Sequence, residues 1–334
     1  MSSRMIRRLR PGVRRMMRRS NASRCDCARE PLSPQPVPGA HYVMRTLLCA
    51  WLLVVTGAVA LAQHAPSSGP AGLPAVRAAA AILFNAQTGE VLYKKNETDH
   101  RAVASTQKLL TALIVAESGN LSDLVTVTRS DTFADPTKLY LKPGEVYPRS
   151  QLLTALLVKS ANDVARILAR DNAGSVEQFA RKMNERMERL GGKSSHFINP
   201  NGLPAEGQYS TARDMACVAR AAYYNPVLRE IMKQRHFPFC FSSGRVSSLR
   251  NTNRVLRTYS FCNGMKTGYT DAAGHCLISS GSYNGRDMIA VVLGSNKARV
   301  WDESAQLLAY GLGLSQGQMA ALRVDETKVQ DDED

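Results

Sequence analysis

Ser105 and Lys108 stand three residues apart at the mouth of an apolar run. Leu109, Leu110, Leu113 and Ile114 continue it with a spacing that predicts a mostly buried helix over 101–118. At i, i+3 the serine and lysine side chains share one face. A lysine near a helix start gains nothing from the helix dipole, which favours anions there. Burial lowers its pKa, because desolvation disfavours the charged form. A neutral amine beside a serine hydroxyl is a nucleophile with its base. By itself, Ser-x-x-Lys equally fits a helix cap followed by a surface lysine. Two further short motifs follow in order. Ser160 and Asn162 interrupt a helical stretch, and Lys266, Thr267 and Gly268 open a strand-like one. They add a second hydroxyl, an amide and a second cation.

The elements that must position these groups are legible as patterns. Ala80 to Phe84 is an apolar run of strand length, Asn85 to Gly89 supplies turn chemistry, and Val91 to Tyr93 reads as the return strand. Between Asp123 and Pro148 no long periodic segment stands out. Gln151 to Ala169 is helical by its leucines, with a break over 159–162. Val176 to Leu190 is amphipathic and ends at Gly191 and Gly192. Asn199 to Gly202 is a turn. Thr211 caps a helix that runs to Tyr224, with Asp214 at its third position, and Asn225–Pro226 opens a shorter one. Met265–Thr270, Cys276–Ser282 and Met288–Leu293 are three short strands, the last two joined at Asn284–Gly285, a strong hairpin signal. Val300 to Leu312 is a final helix. Strands at both ends around a helical middle predict an α/β (α+β) chain: one antiparallel sheet flanked by helices, plus a helical lobe.

Composition narrows the function. The chain has 334 residues, 44% of them hydrophobic, enough for real cores. Its net charge of +15 is concentrated: residues 1–62 hold eleven arginines against Asp26 and Glu30. A nucleic-acid partner inferred from charge would rest on that segment, so none is expected. Residues 1–43 read as disordered or as an over-extended reading frame, with translation starting at Met44. Met44 to Ala62 reads as a signal peptide ending in Ala60-Leu61-Ala62, and 63–77 as a linker. The catalytic domain is expected over 78–314 and a solvated acidic tail over 315–334. The body holds Cys217, Cys240, Cys262 and Cys276 without a Cys-x-x-Cys pair, which disfavours a zinc or thioredoxin-like site. In an exported protein Cys240 and Cys262 are the better candidates for a bridge, whereas Cys217 and Cys276 read as core thiols.

Taken together and in this order, the three motifs resemble the penicillin-recognising serine acyl-transferase set. The resemblance spreads over residues 78–312 to the D-alanyl-D-alanine carboxypeptidase family, the low-molecular-weight penicillin-binding proteins of serine peptidase family S11. Matching stretches include Gln-Thr-Gly-Glu-Val-Leu-Tyr (87–93), Ala-Ser-Thr-Gln-Lys (104–108), Leu-Lys-Pro-Gly-Glu (141–145), Ser-Ala-Asn-Asp (160–163), His-Phe-Ile-Asn-Pro-Asn-Gly-Leu (196–203), Asn-Thr-Asn-Arg (251–254) and Lys-Thr-Gly-Tyr-Thr-Asp-Ala-Ala-Gly (266–274).

The likeness implies a β-lactamase/DD-peptidase-like fold and an exported enzyme, periplasmic or on the wall side of the membrane. It would trim the terminal D-alanine from peptidoglycan stem peptides and be inhibited by β-lactams. It implies Ser105 as nucleophile and Lys108 as base. Ser160 would relay a proton, and Asn162 would orient Lys108 or the substrate amide. Lys266 and Thr267 would receive the terminal carboxylate, and Gly268 would leave room for substrate along the strand edge. Tyr269 and Ser105 would lend their N–H groups to an oxyanion hole. No metal or cofactor is implied.

His196 reads as part of a structural turn and Arg254 as structural, while Arg299 is a candidate carboxylate binder. Many family members carry a second β-rich domain and an anchor helix. With 22 residues after Leu312, neither is expected, nor a stable membrane anchor after signal cleavage. Ala161 stands where members often have glycine, a mild change. The alternatives are a DD-endopeptidase acting on cross-links and a β-lactam-binding protein without turnover. A β-lactamase is disfavoured because Lys193 to Leu203 holds no glutamate to activate a deacylating water.

Overall fold

The computed structural model describes residues 72–324. The basic N-terminal segment, the expected signal peptide, most of the linker and residues 325–334 lie outside the described residues. In chain order the first elements are β1 (Ala80–Asn85), β2 (Val91–Lys95), a 3₁₀ turn (Ala104–Gln107), α1 (Lys108–Glu117) and β3 (Leu124–Thr126). They continue with β4 (Val146–Pro148), α2 (Arg149–Val158), α3 (Asn162–Ala173), α4 (Val176–Arg189), α5 (Ala212–Tyr224) and α6 (Pro226–Met232). Then come β5 (His236–Cys240), β6 (Val246–Arg250), α7 (Arg254–Thr258), β7 (Cys262–Thr270), β8 (Gly274–Tyr283), β9 (Arg286–Ser295), α8 (Val300–Leu312) and α9 (Gln316–Ala321).

The main sheet has five strands in the order β2-β1-β9-β8-β7, all antiparallel. It is covered on both faces, which explains why its inner strands read as unbroken apolar runs rather than alternating ones. Ala80, Ile82 and Phe84 of β1 and Ile289, Val291 and Leu293 of β9 join the core of the helical lobe. Ala81, Leu83, Ala290 and Val292 join a second core with α8. The hairpin signal at Asn284–Gly285 holds: both residues are left-handed (φ 47° and 75°), and Tyr283 pairs with Arg286.

α1 is buried nearly all round, with Leu109, Leu110 and Leu113 enclosed. Each such side chain stabilises the fold by roughly 2 kcal/mol through area removed from water, which offsets the cost of drawing Lys108 inside with them. α4 starts at the Ser175 cap and α5 at the Thr211 cap, each side chain accepting from the third residue on.

Three expectations are corrected. The stretch 315–334 is not wholly a solvated tail. Ser315 and Gln318 form a reciprocal capping box, α9 follows with Met319 buried, and Arg323 pairs with Tyr259. The end of the 63–77 linker is tied down, because Val76 joins the second core and the Glu303 carboxylate accepts from the N–H groups of Arg77 and Ala78. The Cys240–Cys262 bridge is absent and all four body cysteines are free. Cys240 lies exposed on β5, which pairs with β6 in a separate hairpin, while Cys262 is buried at the start of β7. Cys276 is the core thiol expected, whereas Cys217 is half-buried. The short pair β3–β4 was not legible as strands, having three residues in each.

Candidate active site

A cleft of about 430 Å³ opens between the main sheet and the helical lobe. It brings together Ser105, Ser160, Asn162, Thr267, Gly268 and Tyr269 from all three motifs. Ser105 sits in the 3₁₀ turn that leads into α1, so the predicted helix begins as a tighter turn before Lys108. Ala104 holds a left-handed φ of 48°, and the turn is braced from behind by the 199–203 loop. Gly202 in that loop is required by space: a Cβ there would lie 2.1 Å from Ala104 O.

Lys108 is wholly buried. Its Nζ lies 2.6 Å from Ser105 Oγ, 2.7 Å from Asn162 Oδ1 and 2.6 Å from Asn201 O. Asn162 Nδ2 donates to the carbonyls of Asp135 and Pro136, which fixes the end of the amide that faces Lys108. Asn162 Oδ1 and Asn201 O are acceptors, so they take two N–H groups. The third position around the nitrogen faces Ser105 Oγ, where a neutral amine presents its lone pair. Burial, then the nearby charge of Lys266, holds Lys108 well below the usual lysine range, against a weaker opposite pull from Asp163.

Ser160 and Asn162 sit where α2 stops and α3 starts. Ser160 takes a left-handed φ of 67°, which breaks the helix and turns its hydroxyl toward the sheet. Lys266 Nζ donates to Ser160 Oγ at 2.7 Å and to Thr267 O at 2.8 Å. Lys266 is also wholly buried, and burial brings it down to about 7. A bulge between Cys262 and Gly264 sets the register just before it. β7 is the edge strand of the sheet, and by the period of two Lys266 and Gly268 share a face. That face is turned to the Ser105 turn: a Cβ on Gly268 would lie 2.7 Å from Ser105 N and 2.9 Å from Thr106 N. Thr267 Oγ1 lies 2.7 Å from Thr252 Oγ1, and Tyr269 is 55% exposed at the rim.

The eight residues singled out in the sequence thus meet in one place, with a serine in contact with a buried, uncharged-leaning amine. The sequence matches the family described as D-alanyl-D-alanine carboxypeptidase over residues 57–297. The chain belongs to the D-alanyl-D-alanine carboxypeptidase family. It is 33% identical over 235 residues to the D-alanyl-D-alanine carboxypeptidase DacF of Bacillus subtilis, covering 66% of this chain and 58% of that one. It is 33% identical over 256 residues to DacA of Escherichia coli K12, covering 72% and 62%. The chain therefore spans about three fifths of the length of these curated relatives. The crystal structure of the D-alanyl-D-alanine carboxypeptidase from Mycobacterium tuberculosis superposes with a TM-score of 0.70 at 31% identity, covering 75% of this chain and 96% of that one.

Three parts of this carboxypeptidase-family site had no role in the sequence reading. Asn201 acts through its carbonyl, which leaves no side-chain signal. Asp163 was quoted within its motif without a role. Its carboxylate accepts from the N–H groups of Leu139, Tyr140 and Val164 and pins the 136–141 segment to α3. Thr252 pairs with Thr267 from a stretch quoted for its asparagines. Of the other candidates, His196 donates through Nδ1 to Gly207 O and pairs with Tyr209, outside the lining of the cleft, in keeping with a structural turn. Arg254 stacks over Trp301, which lines the cleft. Arg299 is exposed at the cap of α8 and outside the cleft lining.

Proposed function

We propose that this protein is a serine-type D-Ala-D-Ala carboxypeptidase of peptidoglycan stem peptides, exported to the periplasm or the wall side of the cytoplasmic membrane. The observation that carries this reading is the 2.6 Å contact between Ser105 Oγ and the nitrogen of a wholly buried Lys108. Lys108 takes the Ser105 proton as Oγ attacks the carbonyl of the penultimate D-alanine. The N–H groups of Ser105 and Tyr269 stabilise the oxyanion. The proton passes through Ser160, in contact with Lys266, to the leaving nitrogen, and the C–N bond breaks to release D-alanine. Lys266 and Thr267 hold its carboxylate, and Thr252 orients the Thr267 hydroxyl. Asn162 fixes Lys108 and faces the substrate amide. The outer edge of β7, along which Gly268 and Tyr269 line the cleft, takes the substrate as an added strand. Water then hydrolyses the Ser105 ester. β-Lactams acylate the same hydroxyl and are released slowly.

The test uses the purified protein with a pentapeptide ending in D-Ala-D-Ala and, in parallel, a cross-linked muropeptide, followed by mass spectrometry. Free D-alanine, abolished by Ser105→Ala, is the expected result. Cleaved cross-links without free D-alanine would reassign the activity to an endopeptidase. Penicillin labelling of Ser105 with neither product would leave a binding protein without turnover. Cell fractionation that found the protein in the cytosol would overturn the location.

A further inference from the structure

A second cleft, of about 570 Å³, meets the catalytic cleft at Leu203, which lines both. Asn201, whose carbonyl receives Lys108 Nζ, stands in its wall. The opposite wall is the 132–138 segment with Arg166 of α3. This segment is bonded to the catalytic machinery: Asn162 donates through Nδ2 to Asp135 O at 2.9 Å and through its N–H to Thr137 O at 2.7 Å.

The cations of this cleft differ from their neighbours. Arg149, Arg170 and Arg186 on the same lobe are each paired with a carboxylate, at 2.7, 3.0 and 2.6 Å. Lys138 and Arg166 belong to none of the ion pairs within 4.0 Å among the described residues. Lys138 Nζ donates to Thr132 O at 3.4 Å and lies over the Tyr140 ring, and Arg166 Nη2 donates to Ser130 O at 3.3 Å. Both bonds are at the long end of the useful range. Arg166 Nε is buried with no hydrogen-bond partner, so the outer guanidinium nitrogens are the ones a ligand in the cleft would meet. Asp135 is the acidic residue in the lining and is exposed, and Glu177, outside the lining, feels the charge of Arg166 without an ion pair within 4.0 Å, so within the lining the two cations outnumber the one carboxylate. Phe133, 67% exposed, adds an apolar flank.

We propose that this cleft is the acyl-side subsite of the same active site, where Arg166 and Lys138 bind a carboxylate of the substrate N-terminal to the scissile bond. The inference rests on the carboxypeptidase reading, in which the terminal carboxylate goes to Lys266 and Thr267 and the acyl portion extends past Leu203. The planar guanidinium fork suits a carboxylate, and the half-buried setting strengthens the pair. The subsite selects among stem peptides by their charge on the acyl side.

The experiment compares two pentapeptides ending in D-Ala-D-Ala that differ in whether their acyl-side carboxylates are free or amidated. For the unaltered protein, amidation lowers kcat/KM for D-alanine release about tenfold, through KM. In Arg166→Gln combined with Lys138→Gln the two peptides fall within about twofold of each other, while Arg166→Lys, which keeps the cation, retains most of the preference. Melting temperatures check that the variants are folded. Raising salt from about 0.1 M to about 1 M shrinks the preference of the unaltered protein and needs no variant. Equal use of both peptides by the unaltered protein, or an undiminished preference in the double variant, overturns the subsite and leaves the carboxypeptidase reading standing. Release of D-alanine from neither peptide removes that reading and the subsite with it.

Discussion

The helix side and the strand side of the cleft each contribute one wholly buried lysine, and the two differ in what surrounds them. Lys108 is enclosed by Ser105 Oγ, Asn162 Oδ1 and Asn201 O, and a second cation lies close by. Lys266 bonds Ser160 Oγ and its neighbour's carbonyl and stands on β7, the edge strand of the sheet. Burial lowers both, and the nearby charge of Lys266 lowers Lys108 further. In the function we propose, two identical side chains with identical exposure take opposite parts: one is an amine that accepts a proton, and the other is a cation, brought to about 7, that meets an anion. Residue type and burial alone do not assign a role; the arrangement of neighbouring charges does.

The largest effect expected is at Lys108. Arginine there fixes a positive charge where the proposed mechanism needs a neutral amine and cannot serve as a base, so Lys108→Arg should slow acylation of Ser105 by a labelled penicillin by about 10³-fold. Lys266→Arg keeps the cation that strand-side chemistry needs and should cost only about tenfold. Equal losses in the two variants would erase the distinction drawn between the lysines.

Next in size is the contact between the two sides. Gly268→Val places side-chain atoms where Ser105 N and Thr106 N already stand, within 3 Å of the first added carbon. Overpacking of this kind costs about 1–3 kcal/mol, so the melting temperature should fall and kcat/KM should drop about 10²-fold. A variant with unchanged kcat/KM would mean that the two sides need not approach so closely.

The pH dependence sharpens the comparison. The rate should fall on the alkaline side as Lys266 loses its proton near about 7, and Lys266→Arg should remove that limb. Stability carries the opposite sign. The folded pKa lies below the unfolded value of 10.5, so between about 7 and 10.5 the unfolded chain binds more protons and stability rises with pH. The slope from this group is at most about 1.4 kcal/mol per pH unit. Urea unfolding of Lys266→Met should show a shallower rise over that window. A slope equal to that of the unaltered protein would place the folded pKa of Lys266 near its ordinary value.

The smallest effect is on the strand side alone. Thr252→Val removes the 2.7 Å partner of the Thr267 hydroxyl. KM should rise two- to fivefold, about 0.5–1 kcal/mol, with kcat nearly unchanged. A loss mainly in kcat would move Thr252 from carboxylate binding to the chemical step.

Where a pattern is local, the sequence was enough. The break after Val158, the Thr211 cap, the Asn284–Gly285 hairpin and the three motifs depend on turn chemistry and short-range periodicity, and all appear in the fold. Where a strand is three residues long and pairs far away, as in β3–β4, too few positions exist for a period to show. The cysteines failed as a bridge for a related reason: irregular sequence around Cys240 and Cys262 says nothing about which strands they join.

The sequence by itself determined the order and identity of the reacting groups, because residue type and spacing carry them. Tertiary structure decided what those groups are in chemical terms. The lowered pKa of Lys108 requires wholesale burial, an acceptor contributed by Asn201 from 93 residues away, and a cation from β7. It likewise decided that Arg166 and Lys138, unremarkable in the chain, line one cleft and form no ion pair within 4.0 Å among the described residues. Distances between residues far apart in sequence, and the solvent each excludes, exist only after the chain has packed. Those distances bring a serine hydroxyl against a buried amine, the contact on which the proposed nucleophile and base rest.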